Sequence, residues 1–248
     1  MSADNSTDTD ISLNNGQLLL SVDDIHTYYG ESHVLEGVSI DVCEGEVVAL
    51  IGRNGVGKTT TLRSVLQLTP PREGSVRYGV NELVGMRTDE VAQRGIGWIP
   101  EDRRVFSQLT VAENIRIAVP AGGDVSGAQK AMYETFPALD RVSEQNAGTL
   151  SGGQQQMLAI ARGLVGENDL LLVDEPSEGL APKIVTTVAE TLARAAEDAT
   201  ILLVEQNLPL ALDLADRFYV LDNGQVVVSG DTDDVSADDP ALKRYLSA

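Results

Sequence analysis

The eight residues Gly52-Arg53-Asn54-Gly55-Val56-Gly57-Lys58-Thr59 fit the pattern GxxxxGK[ST] of a phosphate-binding loop. The glycines let the backbone curl so that its N–H groups point inward at phosphate oxygens. A following helix would add its positive N-terminal end. Lys58 is placed to reach the β- and γ-phosphates of a nucleotide, and the Thr59 hydroxyl to meet Mg2+. Further on, Leu170-Leu171-Leu172-Val173-Asp174-Glu175 is an apolar run ending in two carboxylates. Asp174 can face the same Mg2+ from the side opposite Thr59, and Glu175 can polarise an attacking water. Between these segments lies Leu150-Ser151-Gly152-Gly153-Gln154-Gln155-Gln156. A Ser-Gly-Gly run opening a helix offers a second set of N–H donors for an anion. A chain with one phosphate loop has little use for another in the same site, so this loop is expected to serve the nucleotide of a second subunit. Read alone, it is equally a flexible helix N-cap.

These groups need a scaffold, and the pattern supplies one. Val47–Ile51 is a continuous apolar run, as in a strand buried on both faces. It leads into the phosphate loop, and a helix is predicted over Lys58–Leu68, stopped by Pro70-Pro71. Leu18–Val22 reads as a strand, and Tyr28-Tyr29-Gly30 as a loop. Gly74–Val84 reads as a short strand and turn, and Ile96–Ile99 as a strand broken at Pro100. Residues 110–165 have helical spacing, interrupted by a Gly/Ser-rich loop at Gly122–Gly127. The βα alternation then resumes. Strands are predicted at Leu170–Val173 and Thr200–Val204, and helices at Lys183–Ala196 and Leu208–Ala215. Phe218–Leu221 and Gln225–Ser229 flank Asp222-Asn223-Gly224, a tight-hairpin signal, and Pro240–Leu246 reads as a final short helix. Alternating βα units argue for a parallel sheet covered by helices. Residues 1–16 are polar, acidic and aperiodic, the composition of a disordered tail.

Composition narrows the partners. The chain has 248 residues, 42% hydrophobic but only 4% aromatic, so its core is aliphatic. No apolar run approaches the roughly 20 residues of a membrane-spanning helix, and the N-terminus does not read as a signal peptide. A single cysteine, Cys43, excludes an intramolecular disulfide framework and points to a reducing, cytosolic setting. His26 and His33 are too few and isolated to suggest a metal site. The net charge is −20, which opposes binding to nucleic acid. Only 4 of the 18 cationic residues are lysine. An acidic, lysine-poor surface suits a high-salt cytoplasm, where salt screens self-repulsion. Ordinary acidic solubility is the alternative.

In order and spacing the three motifs, at 52–59, 150–154 and 174–175, resemble the ATP-binding subunit of ABC transporters, from about residue 18 to the end. The resemblance implies an α/β fold. Its P-loop NTPase (RecA-like) core would span 17–248, with a small antiparallel β subdomain and an α-helical subdomain near 102–165. It implies ATP hydrolysis with Mg2+, and two subunits packed head to tail. ATP would lie between Gly52–Thr60 of one subunit and Ser151, Gly152, Gly153 and Gln154 of the other. Tyr29, which lies 29 residues before Lys58, matches the aromatic that stacks on adenine. Tyr28 is the second choice, and a surface aromatic is the bland reading of either. Glu101 stands where a glutamine is usual, and can approach Mg2+ and water. Gln206 stands at the switch position, usually histidine; it can donate to a γ-phosphate but cannot become cationic. Ser177-Glu178-Gly179-Leu180-Ala181-Pro182 lacks the usual aspartate, which leaves its cross-dimer role open.

Pro100-Glu101 with Arg103-Arg104-Val105-Phe106, Glu175-Pro176-Ser177 with Gly179-Leu180-Ala181-Pro182, and Val204-Glu205-Gln206-Asn207 resemble one branch, the ATPases of branched-chain amino acid importers. Tyr28-Tyr29-Gly30 and Ser177-Glu178-Gly179 are also similar to the urea-importer subunits. The branch implies membrane permease subunits, a second and usually different ATPase chain, and an extracytoplasmic solute-binding protein. It also implies a peripheral place on the cytoplasmic face of the membrane. A soluble ABC ATPase of the iron–sulfur assembly type is the alternative without a permease. A DNA-repair ABC ATPase is excluded, because only about 90 residues separate the phosphate loop from Ser151.

Overall fold

A computed structural model describes residues 16–166 and 168–246. Apart from Gly16, the acidic segment expected to be a disordered tail lies outside the described residues. The chain opens with β1 (Leu18–Tyr29), β2 (Ser32–Cys43) and β3 (Val47–Ile51), then α1 (Lys58–Val65). Next come β4 (Glu73–Tyr78), β5 (Asn81–Glu82), α2 (Thr88–Ala92) and β6 (Ile96–Ile99). Four helices follow: α3 (Val111–Ala118), α4 (Val125–Thr135), α5 (Pro137–Asp140) and α6 (Gly152–Leu164). Alternation then returns with β7 (Leu170–Asp174), α7 (Pro182–Ala195), β8 (Thr200–Glu205) and α8 (Leu208–Leu214). The chain closes with β9 (Arg217–Asp222), β10 (Gln225–Asp231) and α9 (Pro240–Leu246).

Two sheets result. The larger has order β10-β9-β3-β8-β7-β6, and the smaller is β2-β1-β4-β5. In the larger sheet β6, β7, β8, β3 and β9 are parallel, and β10 pairs antiparallel at the edge. The smaller sheet is wholly antiparallel. Every residue of β3, β7 and β8 is buried, which is why these strands read as unbroken apolar runs. Successive side chains of β3 feed opposite cores. Val47, Ala49 and Ile51 join the cluster packed on the later helices, with Ile115, Leu158 and Leu192. Val48 and Leu50 join the cluster under the small sheet, with Leu20, Val38 and Leu62. A buried ion pair helps join the sheets: Arg217 of β9 donates to Glu46 Oε1 at 3.0 Å and to the Tyr219 hydroxyl at 2.7 Å, and these two oxygens accept the β2 N–H groups of Cys43 at 2.6 Å and Asp41 at 3.2 Å.

Three sequence expectations are corrected by the structure. Tyr28 and Tyr29 are not loop residues; they end β1, and only Gly30 and Glu31 turn the chain. A bulge hides this strand, because Asp24 takes a left-handed φ of 48° and the pairing shifts register between Val22 and Ile25. In β2, burial alternates over Val38–Val42, and register shifts of its own, between Val38 and Glu36 and between Leu35 and His33, interrupt the rest. The first helix ends at Val65, short of the prolines. Gln67 is left-handed, with φ 57°, and the N–H groups of Leu68 and Thr69 return to the Arg63 carbonyl. The glycine-rich loop is shorter than expected, because Asp124 caps α4 by accepting from the Gly127 N–H at 3.0 Å. Among the described residues, no helix is long and apolar enough to cross a membrane.

Candidate active site

The C-terminal ends of β3, β7 and β8 carry the groups singled out above. The turn from β3 into α1 runs through left-handed Gly55 (φ 82°) and Gly57 (φ 115°). A side chain at Gly57 would also meet the Leu35 methyl, so glycine is required there twice over. The turn is held from outside by the β9–β10 hairpin, where Gly224 N–H donates to Val56 O at 3.0 Å. Lys58, at the first position of α1, folds back under the turn. Its ammonium donates to Gly52 O at 2.8 Å and Arg53 O at 2.9 Å, and pairs with Glu175 Oε1 at 2.9 Å. Lys58 and Glu175 are both buried.

Asp174 ends β7 and is buried. Its Oδ1 accepts from the Thr59 hydroxyl at 3.0 Å, while Oδ2 is buried with no hydrogen-bond partner. Burial pushes its carboxyl up to about 6. The Thr59 bond and Lys58 work against that rise, and Glu175 adds to it. Glu175, the next residue, is left-handed at φ 42°, with its N–H donated to Val204 O at 2.9 Å. This bend turns its carboxylate from the sheet towards Lys58. Glu101 follows β6 and is pushed up to about 7. The main cause is a hydrogen bond shared with Glu178, followed by burial and repulsion from Glu178, Glu175 and Asp174. By surface area Glu101 is exposed, so solvent screening weakens that repulsion.

Asn54, Gly55, Gly57, Lys58, Thr59, Thr60, Glu101 and Glu175 line one cleft of about 320 Å³. Gly52, Arg53 and Val56 of the loop are not among its lining residues, and neither is Asp174, which bonds to the lining residue Thr59. Val34 of β2 also lines it, and the sequence carried no sign of that. Three further expected parts also stand outside the lining. Tyr29 is exposed at the end of β1, with its hydroxyl 3.4 Å from that of Thr69. Gln206 is exposed just after β8. Ser151 caps α6, accepting from Gln154 N–H at 3.3 Å, with Gly152 and Gly153 in the first helical turn. None of Ser151–Gln154 lines this chain's own cleft. A larger cleft, about 500 Å³, lies at the other end of the sheet by Leu164, Asn168 and Arg194, and holds none of these groups. His26 and His33, expected to be isolated, are in fact 3.0 Å apart across the β1–β2 hairpin. Among the described residues no cluster of three or more metal-binding side chains occurs.

The site therefore presents a glycine turn at a helix N-terminus, a buried ammonium paired with the Glu175 carboxylate, and the Thr59 hydroxyl, which bonds to the Asp174 carboxylate. That combination suits a polyphosphate and its hydrolysis. The free Asp174 Oδ2 beside the Thr59 hydroxyl fits a hard cation that takes oxygen ligands.

Comparison with known proteins agrees. The ABC transporter family profile matches residues 35–178. The high-affinity branched-chain amino acid transport ATP-binding protein BraG of Pseudomonas aeruginosa is 46% identical over 217 residues, 85% of this chain and 91% of that protein. The probable branched-chain amino acid transport ATP-binding protein LivF of Archaeoglobus fulgidus is 36% identical, over 82% of this chain and 87% of that protein. Among solved structures, an ATP-binding cassette of an ABC transporter in its ADP conformation superposes with a TM-score of 0.78 at 28% identity, covering 94% of this chain and all of that one. A dimeric ATP-binding cassette with ADP and phosphate bound also gives 0.78, at 26% identity, over 86% of this chain and 99% of that one. The chain belongs to the ABC transporter ATP-binding family. It is an ATPase with a P-loop α/β fold, hydrolysing ATP to ADP and phosphate.

Proposed function

We propose that this ATPase energises import of branched-chain amino acids from the cytoplasmic face of a membrane. Two permease chains, a second ATPase chain and an external solute-binding protein would complete the importer. The similarity to the Pseudomonas protein carries the solute class, and the branch-specific Glu101 and Gln206 agree with it.

In the proposed cycle, ATP lies with its phosphates along the loop N–H groups of 52–60 and its adenine against Tyr29. Phosphate oxygens displace the bonds that Lys58 makes to Gly52 O, Arg53 O and Glu175. Released from Lys58, the Glu175 carboxylate orients a water and accepts its proton. The water oxygen bonds to the γ-phosphorus as the bond to the β,γ-bridging oxygen breaks, and ADP carries away that electron pair. Thr59 and Asp174, with Glu101 nearby, would hold Mg2+, which neutralises charge on the phosphates when bound. Gln206 donates to the γ-phosphate, and Ser151–Gln154 of the other subunit donate from across the dimer. ATP closes the dimer because it touches both halves, and hydrolysis removes that difference in affinity.

Affinity capture of the chain from native membranes in high salt, with mass spectrometry, tests this reading. Recovery of two permeases and a second ATPase is expected. Recovery of soluble partners alone would refute the importer and leave the ATPase chemistry standing. We also read the −20 charge, with its few lysines, as adaptation to a high-salt cytoplasm.

A further inference from the structure

One buried carboxylate near the site has no role in that cycle. Glu205 ends β8 and is only 1% exposed. Its Oε1 accepts the Ser177 N–H at 3.1 Å, and its Oε2 accepts the N–H groups of Gln206 and Asn207, each at 3.1 Å. Its own carbonyl accepts the Gly52 N–H at 3.4 Å. Among the described residues, no cation pairs with it. Its side chain is therefore satisfied by main-chain donors from two loops. One loop follows Glu175 and turns at once, with Glu178 N–H returning to Glu175 O at 3.2 Å. The other carries Gln206. A buried ion without a counter-charge is costly, so its bonds must be close to complete. A carboxylate fits here because it offers two acceptor atoms and no donor.

We propose that Glu205 is a positioning residue for hydrolysis, tying the Gln206 loop to the turn after Glu175 so that both are held in one register with the phosphate loop. The inference rests on the reading that Glu175 and Gln206 act on the γ-phosphate. A glutamine at 205 has nearly the same shape but turns an NH2 donor towards one set of N–H groups, which releases one loop. An aspartate is one methylene too short to reach both.

Steady-state ATPase kinetics of the full chain, on the Glu205→Gln and Glu205→Asp variants, form the test, together with amide hydrogen exchange. Both variants should lower kcat by about tenfold or more and change the ATP KM by less than about threefold, because the Lys58 contacts remain. Exchange at Ser177, Gln206 or Asn207 should speed up while that at Gly52 and Lys58 holds. Leu192→Ala, a core change on α7, should lower the melting temperature without this kinetic split. If the Glu205 variants behave like Leu192→Ala, with kcat per folded molecule unchanged, Glu205 is only structural and the proposal fails. If Gln206→Ala lowers kcat while Glu205→Gln does not, the Gln206 reading stands and only the Glu205 inference falls. If Gln206→Ala leaves kcat unchanged, the underlying reading falls, and the inference with it.

Discussion

Asp174 meets conflicting demands. Burial disfavours its ionised form, yet a carboxylate that binds a cation must be ionised. With the group raised to about 6, it is mostly ionised at pH 7 and mostly protonated at pH 5. Protons then compete with Mg2+, so Mg2+-dependent ATP affinity should fall about tenfold between pH 7 and pH 5. Titration calorimetry at the two pH values checks this; equal affinity at both would contradict a raised Asp174 carboxyl acting as a Mg2+ ligand. At this scale the sequence was most informative where chemistry forces a spacing. The phosphate loop, the two acids at the end of β7 and the Ser151 cap were legible because few side chains can do their work. Glu205 was legible only in hindsight: it ends an apolar strand, as Asp174 does, but its partners are main-chain groups of distant loops. The His26–His33 contact was hidden because it depends on the register of a bulged hairpin.

Elements bring these residues into one place, and the β9–β10 hairpin has the least obvious part. Gly224 donates to Val56 O at 3.0 Å and accepts from the Glu36 N–H at 2.8 Å, joining the phosphate loop to β2. Its φ is 76°, and a Cβ there would run into the Val34 carbonyl oxygen. Gly224→Ala should therefore cost about 1–3 kcal/mol of stability and raise the ATP KM severalfold. Asn223→Ala strains the same turn but has neither contact, so it should leave KM unchanged. Thermal melts and ATPase kinetics on both variants decide whether the hairpin supports the loop. Asn223-Gly224 was readable as a turn, because two left-handed residues are needed there. What the turn touches was not readable, since the Val56 and Glu36 contacts are long-range. Similarly, β3, β7 and β8 announced themselves by burial on both faces, whereas bulges interrupted the alternation in β1 and in the first half of β2, leaving only Val38–Val42 with a regular pattern.

At the scale of the whole molecule, charge and assembly dominate. A net charge of −20 on 248 residues makes the fold repel itself when salt is removed. At molar salt the screening length is about 3 Å, and near 0.01 M it is about 30 Å. The melting temperature should rise steeply from low salt to molar KCl; a flat dependence would reduce the acidity to ordinary solubility. Assembly bears on the central claim. Ser151–Gln154 do not line this chain's own cleft, and in the proposed cycle they donate to the nucleotide of a partner. Glu175→Gln should keep a hydrogen bond to Lys58 and bind ATP, but no longer accept the proton of the attacking water. The decisive measurement is the mass of that variant by light scattering, with ATP and Mg2+ in molar salt. It would be made alone and with any second ATPase chain recovered from the membrane. A stable two-ATPase particle that ADP does not support is the predicted result. A particle that binds ATP yet stays monomeric in both mixtures would contradict the account.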